Sequence, residues 1–221
     1  MNVKIWFSAV FSAIMAIGLT TTGIAAAEGE LQITSKKLEV DRKQDITVFS
    51  GNVIAVKSST TITADVLENY AKNGKVVAAG NVKSVDFSEK ERIDMRCGKA
   101  EYDEKMSYSI LTGNPVVTRT KRDGTEEKVE ISGKKMEIYR EKKEGVVTGN
   151  VLIKQEEILG KSELLRYYSD MKKIVLTGGG PTIECYEAGE LSAAYSAEVV
   201  TIYSDQNRVI FENAFNADIY P

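Results

Sequence analysis

At 221 residues the chain is long enough to bury a sizeable core, and its 29 basic against 32 acidic side chains give a formal net charge of −3 without a dense basic block. That balance argues against a nucleic-acid partner. The sequence contains no histidine, which removes the commonest general base, the commonest zinc ligand and every Ser-His or Cys-His arrangement. No catalytic residue, metal site or cofactor is assigned, and the chain is not read as an enzyme.

The amino terminus comes first. Lys4 carries one positive charge, Ile5 to Leu19 is an uncharged apolar run, and Ala25, Ala26 and Ala27 supply small residues before Glu28. This is the layout of a secretory signal peptide over residues 1–27, cleaved after Ala27, with residues 28–221 as a single mature domain. The competing reading is a retained membrane anchor, since Ile5 to Ala27 is just long enough to span a bilayer. Cleavage removes Lys4 and no acid, which takes the net charge to −4.

From Leu31 onward one unit recurs. VFSGNV, VAAGNV, ILTGNP, VVTGNV and VLTGGG place glycines at 51, 80, 113, 149 and 178, spacings of 29, 33, 36 and 29. Three residues before each glycine stand Val48, Val77, Ile110, Val146 and Val175. Thirteen before stand Leu38, Leu67, Ala100, Met136 and Leu165. Sixteen before are the small residues Ser35, Ala64, Cys97, Gly133 and Ser162, and eighteen before are Ile33, Ile62, Met95 and Ile131, with Gly160 as the exception. A sixth copy without glycine fits if Glu212 takes its place.

The segments are rich in Val, Ile, Thr and Tyr with apolar residues at period two, and a polar stretch such as DRKQD or YAKNG divides each copy. Each copy therefore reads as a hairpin with a loop of about five residues. That loop sets Leu38 opposite Val48, Ser35 opposite Gly51 and Ile33 opposite Val53. Keeping the apolar residues on one face requires a bulge or bend in both arms, one of them at the Gly-Asn pair, which tolerates positive backbone angles. Six bent hairpins side by side make an all-β fold of two facing sheets with an apolar seam, an open jelly roll or a related β-stack.

Other features read as structural. Two cysteines permit a disulfide, but copies stacked in order hold Cys97 and Cys185 at least ~10 Å apart, beyond the ~7 Å that bridged Cα atoms allow. TGGGP at 177–181 lacks the Lys-Ser/Thr and helix start of a phosphate loop and reads as a widened bulge. Glu39, Glu68, Glu101 and Glu137 point to solvent, one step off the apolar face. Arg119, Lys121 and Arg122, beside Asp123 and Gly124, form an exposed turn between copies.

A leader followed by tandem units such as ITADVLENYAKNGKVVAAGNV at 62–82 resembles the OstA-like domain of the LptA lipopolysaccharide-transport family, over residues 31–217. The resemblance implies an open, twisted β-jelly roll built from six tandem bent β-hairpin repeats, and a periplasmic carrier that holds the acyl chains of lipopolysaccharide between its sheets and moves it from inner to outer membrane. It also implies head-to-tail self-association and partners resembling inner-membrane LptC and outer-membrane LptD. The lipid-facing candidates are Ile33, Leu38, Val48, Val53, Ile62, Leu67, Val77, Met95, Ile110, Ile131, Met136, Val146 and Val175. The unpaired edges would run through Leu31, Ile33 and Val40 at one end and Val209, Phe211, Phe215 and Ile219 at the other. The alternatives are an anchored LptC-like component and a structural β-repeat protein without lipid cargo.

Overall fold

The structure is a computed structural model that describes residues 31–89, 91–122, 128–203, 206, 208–213 and 216–220. The leader, Asp123, Gly124, Phe215 and Pro221 lie outside the described residues. Every element is a β-strand, and the six copies are distinct. The first holds β1 (Gln32–Thr34), β2 (Lys37–Asp41) and β3 (Ile46–Lys57), and the second β4 (Thr60–Tyr70) and β5 (Lys75–Phe87). The third holds β6 (Glu91–Asp103), β7 (Tyr108–Thr112) and β8 (Val116–Lys121), and the fourth β9 (Lys128–Ser132), β10 (Lys135–Tyr139) and β11 (Glu144–Gln155). The fifth is β12 (Ile158–Tyr168), β13 (Lys173–Thr177) and β14 (Thr182–Glu187), and the sixth β15 (Glu190–Ser196), β16 (Val199–Tyr203), β17 (Arg208–Glu212) and β18 (Asn216–Ile219).

All pairings are antiparallel, and they divide into two half-sheets. The upper half runs β2, β3, β4, β5, β6, β7, β10, β11, β12, β13, β16, β17. The lower half runs β1, β3, β4, β5, β6, β8, β9, β11, β12, β14, β15, β18. Strands β3, β4, β5, β6, β11 and β12 pass through the bend and belong to both halves. The expected bent-hairpin architecture is therefore the observed one.

The bend sits where the glycines are. Gly51 and Asn52 together oppose the single residue Asp65, a two-against-one bulge, and the same count recurs at Gly80 and Asn81 opposite Gly98 and at Gly149 and Asn150 opposite Glu163. Both members of each pair are left-handed, with φ from +75° to +80° at these glycines and +49° to +51° at Asn52 and Asn150. Asparagine is one of the few side-chain-bearing residues that adopts this region readily, which explains the dipeptide. In TGGGP all three glycines have positive φ and β14 follows, as a widened bulge predicts.

The register differs from the expected one. Leu38 pairs with Phe49 and not Val48, and Ile33 with Ala55 and not Val53. The cause is the hairpin turn, which contains four residues instead of five: Asp41 pairs with Ile46, Tyr70 with Lys75, Asp103 with Tyr108 and Tyr139 with Glu144. Each of these turns closes on a left-handed residue, Asp45, Gly74, Ser107 or Lys143. A one-residue shift turns the partner side chain to the other face, so every residue three before the glycine is reassigned.

The sixth copy shifts too. The amide fifteen residues before the bend donates to the bend carbonyl from Lys36 to Gly51, Gly98 to Gly113, Glu163 to Gly178 and Glu198 to Asn213. Asn213, with φ +59°, thus holds the glycine's place, and Glu212 does not.

Candidate functional site

Two inward rows of side chains face each other across the bend. The upper row is Leu38, Phe49, Leu67, Ala78, Ala100, Leu111, and then Met136, Val147, Leu165, Leu176, Val200 and Phe211, each the cross-strand partner of the next. The lower row is Ile33, Ala55, Ile62, Ser84, Met95, Val117, and then Ile131, Ile153, Gly160, Ile183, Tyr195 and Ala217. From Leu67 to Val200 no member of the upper row is more than 6% exposed. The seam is packed there.

At the amino-terminal edge it is not. Leu38 is 55% and Val40 58% exposed, although both lie on the inward face, and Leu31, Ile33 and Phe49 beside them are only half-buried. The interior under the first two copies is also a separate cluster, made by Val53, Ala55, Ile62, Leu67 and Val76 with Leu31, Ile33 and Phe49 against it. The remaining core, from Ala64 to Ile202, forms one continuous cluster. The seam thus opens into an apolar mouth where the stack ends.

Of the residues expected to face the seam, Ile33, Leu38, Val53, Ile62, Leu67, Met95, Ile131 and Met136 do so. Val48, Val77, Ile110, Val146 and Val175 do not. They pair with Glu39, Glu68, Glu101, Glu137 and Arg166 in one continuous row on the opposite face. The residues in their place are Phe49, Ala78, Leu111, Val147 and Leu176, one position later. The signal was present, since these too are apolar in every copy, and only the four-residue turn decides between the two series.

The outer row is polar but not bare. The Tyr70 hydroxyl donates to Glu68 at 2.6 Å, Lys99 lies 2.8 Å from Glu101, and Tyr108 and Lys135 both bond Glu137. Glu101 is held below the ordinary carboxylate range mainly by the Lys99 hydrogen bond. Burial pushes Glu137 up, but the Tyr108 hydroxyl and Lys135 outweigh it and the net shift is downward. One expectation changes at the hairpin ends far from the bend. Arg119 is no exposed turn residue: it lies between Ile93 and Val129 on the inward face, its side chain 11% exposed, bonded to Glu91 at 2.7 Å. In the turn after β10, Arg140 stacks 5.1 Å from the Tyr102 ring.

Cys97 and Cys185 are both free and buried. Burial pushes the Cys97 thiol up to about 12, which makes it a packing residue and not a nucleophile. Among the described residues no group of three or more Cys, Asp or Glu is placed to hold a metal ion, and no helix is long and apolar enough to cross a membrane.

Comparison with known proteins gives a family. Residues 32–144 match the family described as LptA/(LptD N-terminal domain) LPS transport protein. Among solved structures the chain is similar to LptH of Pseudomonas aeruginosa, the LptA homologous periplasmic component of the conserved lipopolysaccharide transport device. That alignment has 13% identity, covers 87% of this chain and 96% of that one, and has a TM-score of 0.28. A comparison with curated proteins returned no match. With the family match spanning just over half its length, the chain belongs to the LptA/(LptD N-terminal domain) lipopolysaccharide-transport family.

Proposed function

We propose that the protein is a periplasmic lipopolysaccharide carrier whose amino-terminal mouth takes the acyl chains. The observation that carries this reading is the contrast within one inward row, closed from Leu67 to Val200 and open at Leu38. Leaving two inward aliphatic side chains half in water forgoes about 1.5–3 kcal/mol for each full burial, which an apolar cargo would recover. The cargo would meet Leu31, Ile33, Leu38, Val40 and Phe49 first, with Val53, Ile62 and Leu67 behind them. Met95, Ile131 and Met136 belong to the packed part of the seam.

The same end supports the bridge. Among the described residues, strands β1 and β2 each have one paired neighbour, β3, and β17 and β18 pair only with β16 and β15. The stack therefore offers free backbone edges near Leu31, Ile33 and Val40 and near Val209, Phe211 and Ile219 for a further copy or for LptC-like and LptD-like partners. Transfer along such edges involves no bond chemistry, so its energy would come from a partner. Residues 28–221 act as one domain in this reading, after removal of residues 1–27.

A photoreactive residue at Ile33, Leu38 or Phe49 should crosslink to lipopolysaccharide, and one at Val48 or Ile110, on the outer face, should not. Equal labelling of both faces, or none, would move the assignment to a structural β-repeat protein. Amino-terminal sequencing of the exported protein decides between a cleaved carrier and an anchored LptC-like component, because an intact Met1 requires the anchor.

A further inference from the structure

The outer face of the lower half-sheet holds a feature that the sequence does not display. Lys83 and Arg96 are direct cross-strand partners, with Thr63 on the far side of Lys83 and Val116 on the far side of Arg96. Like charges set opposite each other destabilise a sheet. Other cations on this protein's outer surface sit beside acids, Lys99 beside Glu101 and Lys161 beside Glu184. Among the described residues neither Lys83 nor Arg96 has an ion pair or hydrogen bond.

These two cations border a basin of about 540 Å³ that also receives Arg92 and Lys128, against the acids Asp94 and Glu130. The volume is that of a small-ligand site. Asp94 accepts hydrogen bonds from Arg92 Nε and Nη2, at 2.7 and 2.6 Å, so the lining carries an excess of positive charge. Thr118, with its hydroxyl 3.4 Å from Glu130, lies in the middle. Just outside stands Phe87, 45% exposed, with the Arg92 and Arg122 guanidinium groups 5.2 and 6.0 Å from its ring centre. Paired cations suit a phosphate, a carboxylate and hydroxyls suit sugar hydroxyl groups, and an exposed ring suits the apolar face of a sugar.

We propose that this basin binds the phosphorylated sugar headgroup of the carried lipid. The inference rests on the carrier reading above and adds the place where the headgroup lies. The pairs Phe87 with Arg92 and Thr120 with Lys128 fall at the hairpin ends, on the lip of the seam. From β3 the basin begins two strands away, at Lys83 on β5, ~10 Å at the usual strand spacing, which a large saccharide spans.

The test titrates glucosamine 6-phosphate, glucosamine and inorganic phosphate into the full chain, and compares lipopolysaccharide with and without its phosphates. In the wild type, glucosamine 6-phosphate should shift the backbone resonances of Lys83, Arg96 and Thr118, and should bind more tightly than either simpler probe. Lys83→Gln with Arg96→Gln should weaken glucosamine 6-phosphate and intact lipid ~10-fold, the scale of two lost solvent-exposed charge contacts, and leave dephosphorylated lipid unchanged. Its melting temperature should be equal or higher, since a like-charge pair is relieved, and that excludes misfolding as the cause. Inorganic phosphate binding as tightly as the sugar phosphate, or equal losses with and without lipid phosphates, overturns the proposal. Crosslinking at Leu38 reads the groove separately. Crosslinking without basin binding refutes the headgroup site alone, and basin binding without crosslinking refutes the lipid as its source.

Discussion

Gly98 and Gly113 touch across the third bend: the Gly98 amide donates to the Gly113 carbonyl at 3.2 Å, and a Cβ on Gly113 would lie 2.8 Å from Gly98 Cα. Gly113→Ala therefore meets backbone that cannot move aside, in addition to the ~1–2 kcal/mol of a left-handed residue. A loss of about 3 kcal/mol is expected from urea unfolding. Gly180→Ala, where nothing lies within 4 Å of the new methyl, should cost only the left-handed term. A Cβ on Gly80 would fall 2.3 Å from the Asp65 carboxylate, so Gly80→Val should be more damaging than Glu68→Ala. Equal costs at Gly113 and Gly180 would mean that the close approach is absent in solution.

Ile110 and Leu111 are neighbours on opposite faces. Leu111→Ala opens a cavity in the fully buried row and should cost about 2–5 kcal/mol, whereas Ile110→Ala, half-buried beside Glu101 and Glu137, should cost less than about 1.5 kcal/mol. The reverse ranking in chemical denaturation would restore the five-residue turn and the register it implies.

Glu101, Glu137 and Glu184 all titrate below the ordinary carboxylate range, Glu101 and Glu184 chiefly through hydrogen bonds from Lys99 and Lys161. Their folded values lie below the unfolded ones, so the unfolded chain binds more protons at acid pH. The stability they contribute is complete above the unfolded carboxylate value of about 4.3 and is lost as pH falls through the folded values. Melting temperature measured from pH 7 to pH 3 should drop over the acid end of that range, and Glu137→Gln should flatten the drop. An unchanged acid limb in that variant would show that Glu137 is not linked to folding.

Ser109 is 1% exposed, between Tyr102 and Ile138, and its hydroxyl has no partner among the described residues. A buried unsatisfied hydroxyl is destabilising, so Ser109→Ala should raise stability by about 1 kcal/mol. A fall in the melting temperature of this variant would reveal a hydrogen bond to a water at that site.

Much of this fold was legible because the copies repeat their bend more faithfully than anything else. Gly-Asn recurs in all but the fifth and sixth copies, and only a bend explains a dipeptide with two left-handed residues at a fixed distance from a small partner. The face was harder to read, because Val77 and Ala78, or Ile110 and Leu111, are both apolar and one turn residue separates the two assignments. The sixth copy is misread for a related reason: Val209, Val199, Ser196 and Ala194 fit the repeat with Glu212 in the glycine's place, and only the structure shows that Asn213 keeps the left-handed angle. The basin was invisible because Lys83, Arg92, Arg96 and Lys128 come from three strands. Their meeting is a property of registers, and no stretch of sequence spells it.

The broken arms have a mechanical meaning. Six strands carry the bend as unbroken backbone, but at the amino-terminal edge the first arm is already divided: β1 belongs to the lower half, β2 to the upper, and only Ser35 and Lys36 join them. The seam behaves like a book whose spine is stiff at β3 to β6 and whose outermost leaf is slit. Spreading that leaf breaks no strand and works only against the joint at Ser35 and Lys36, whose Lys36 amide donates to the Gly51 carbonyl at 3.0 Å, so the end of the molecule that exposes Leu38 and Val40 is also an end where the gap between the half-sheets can widen at little cost.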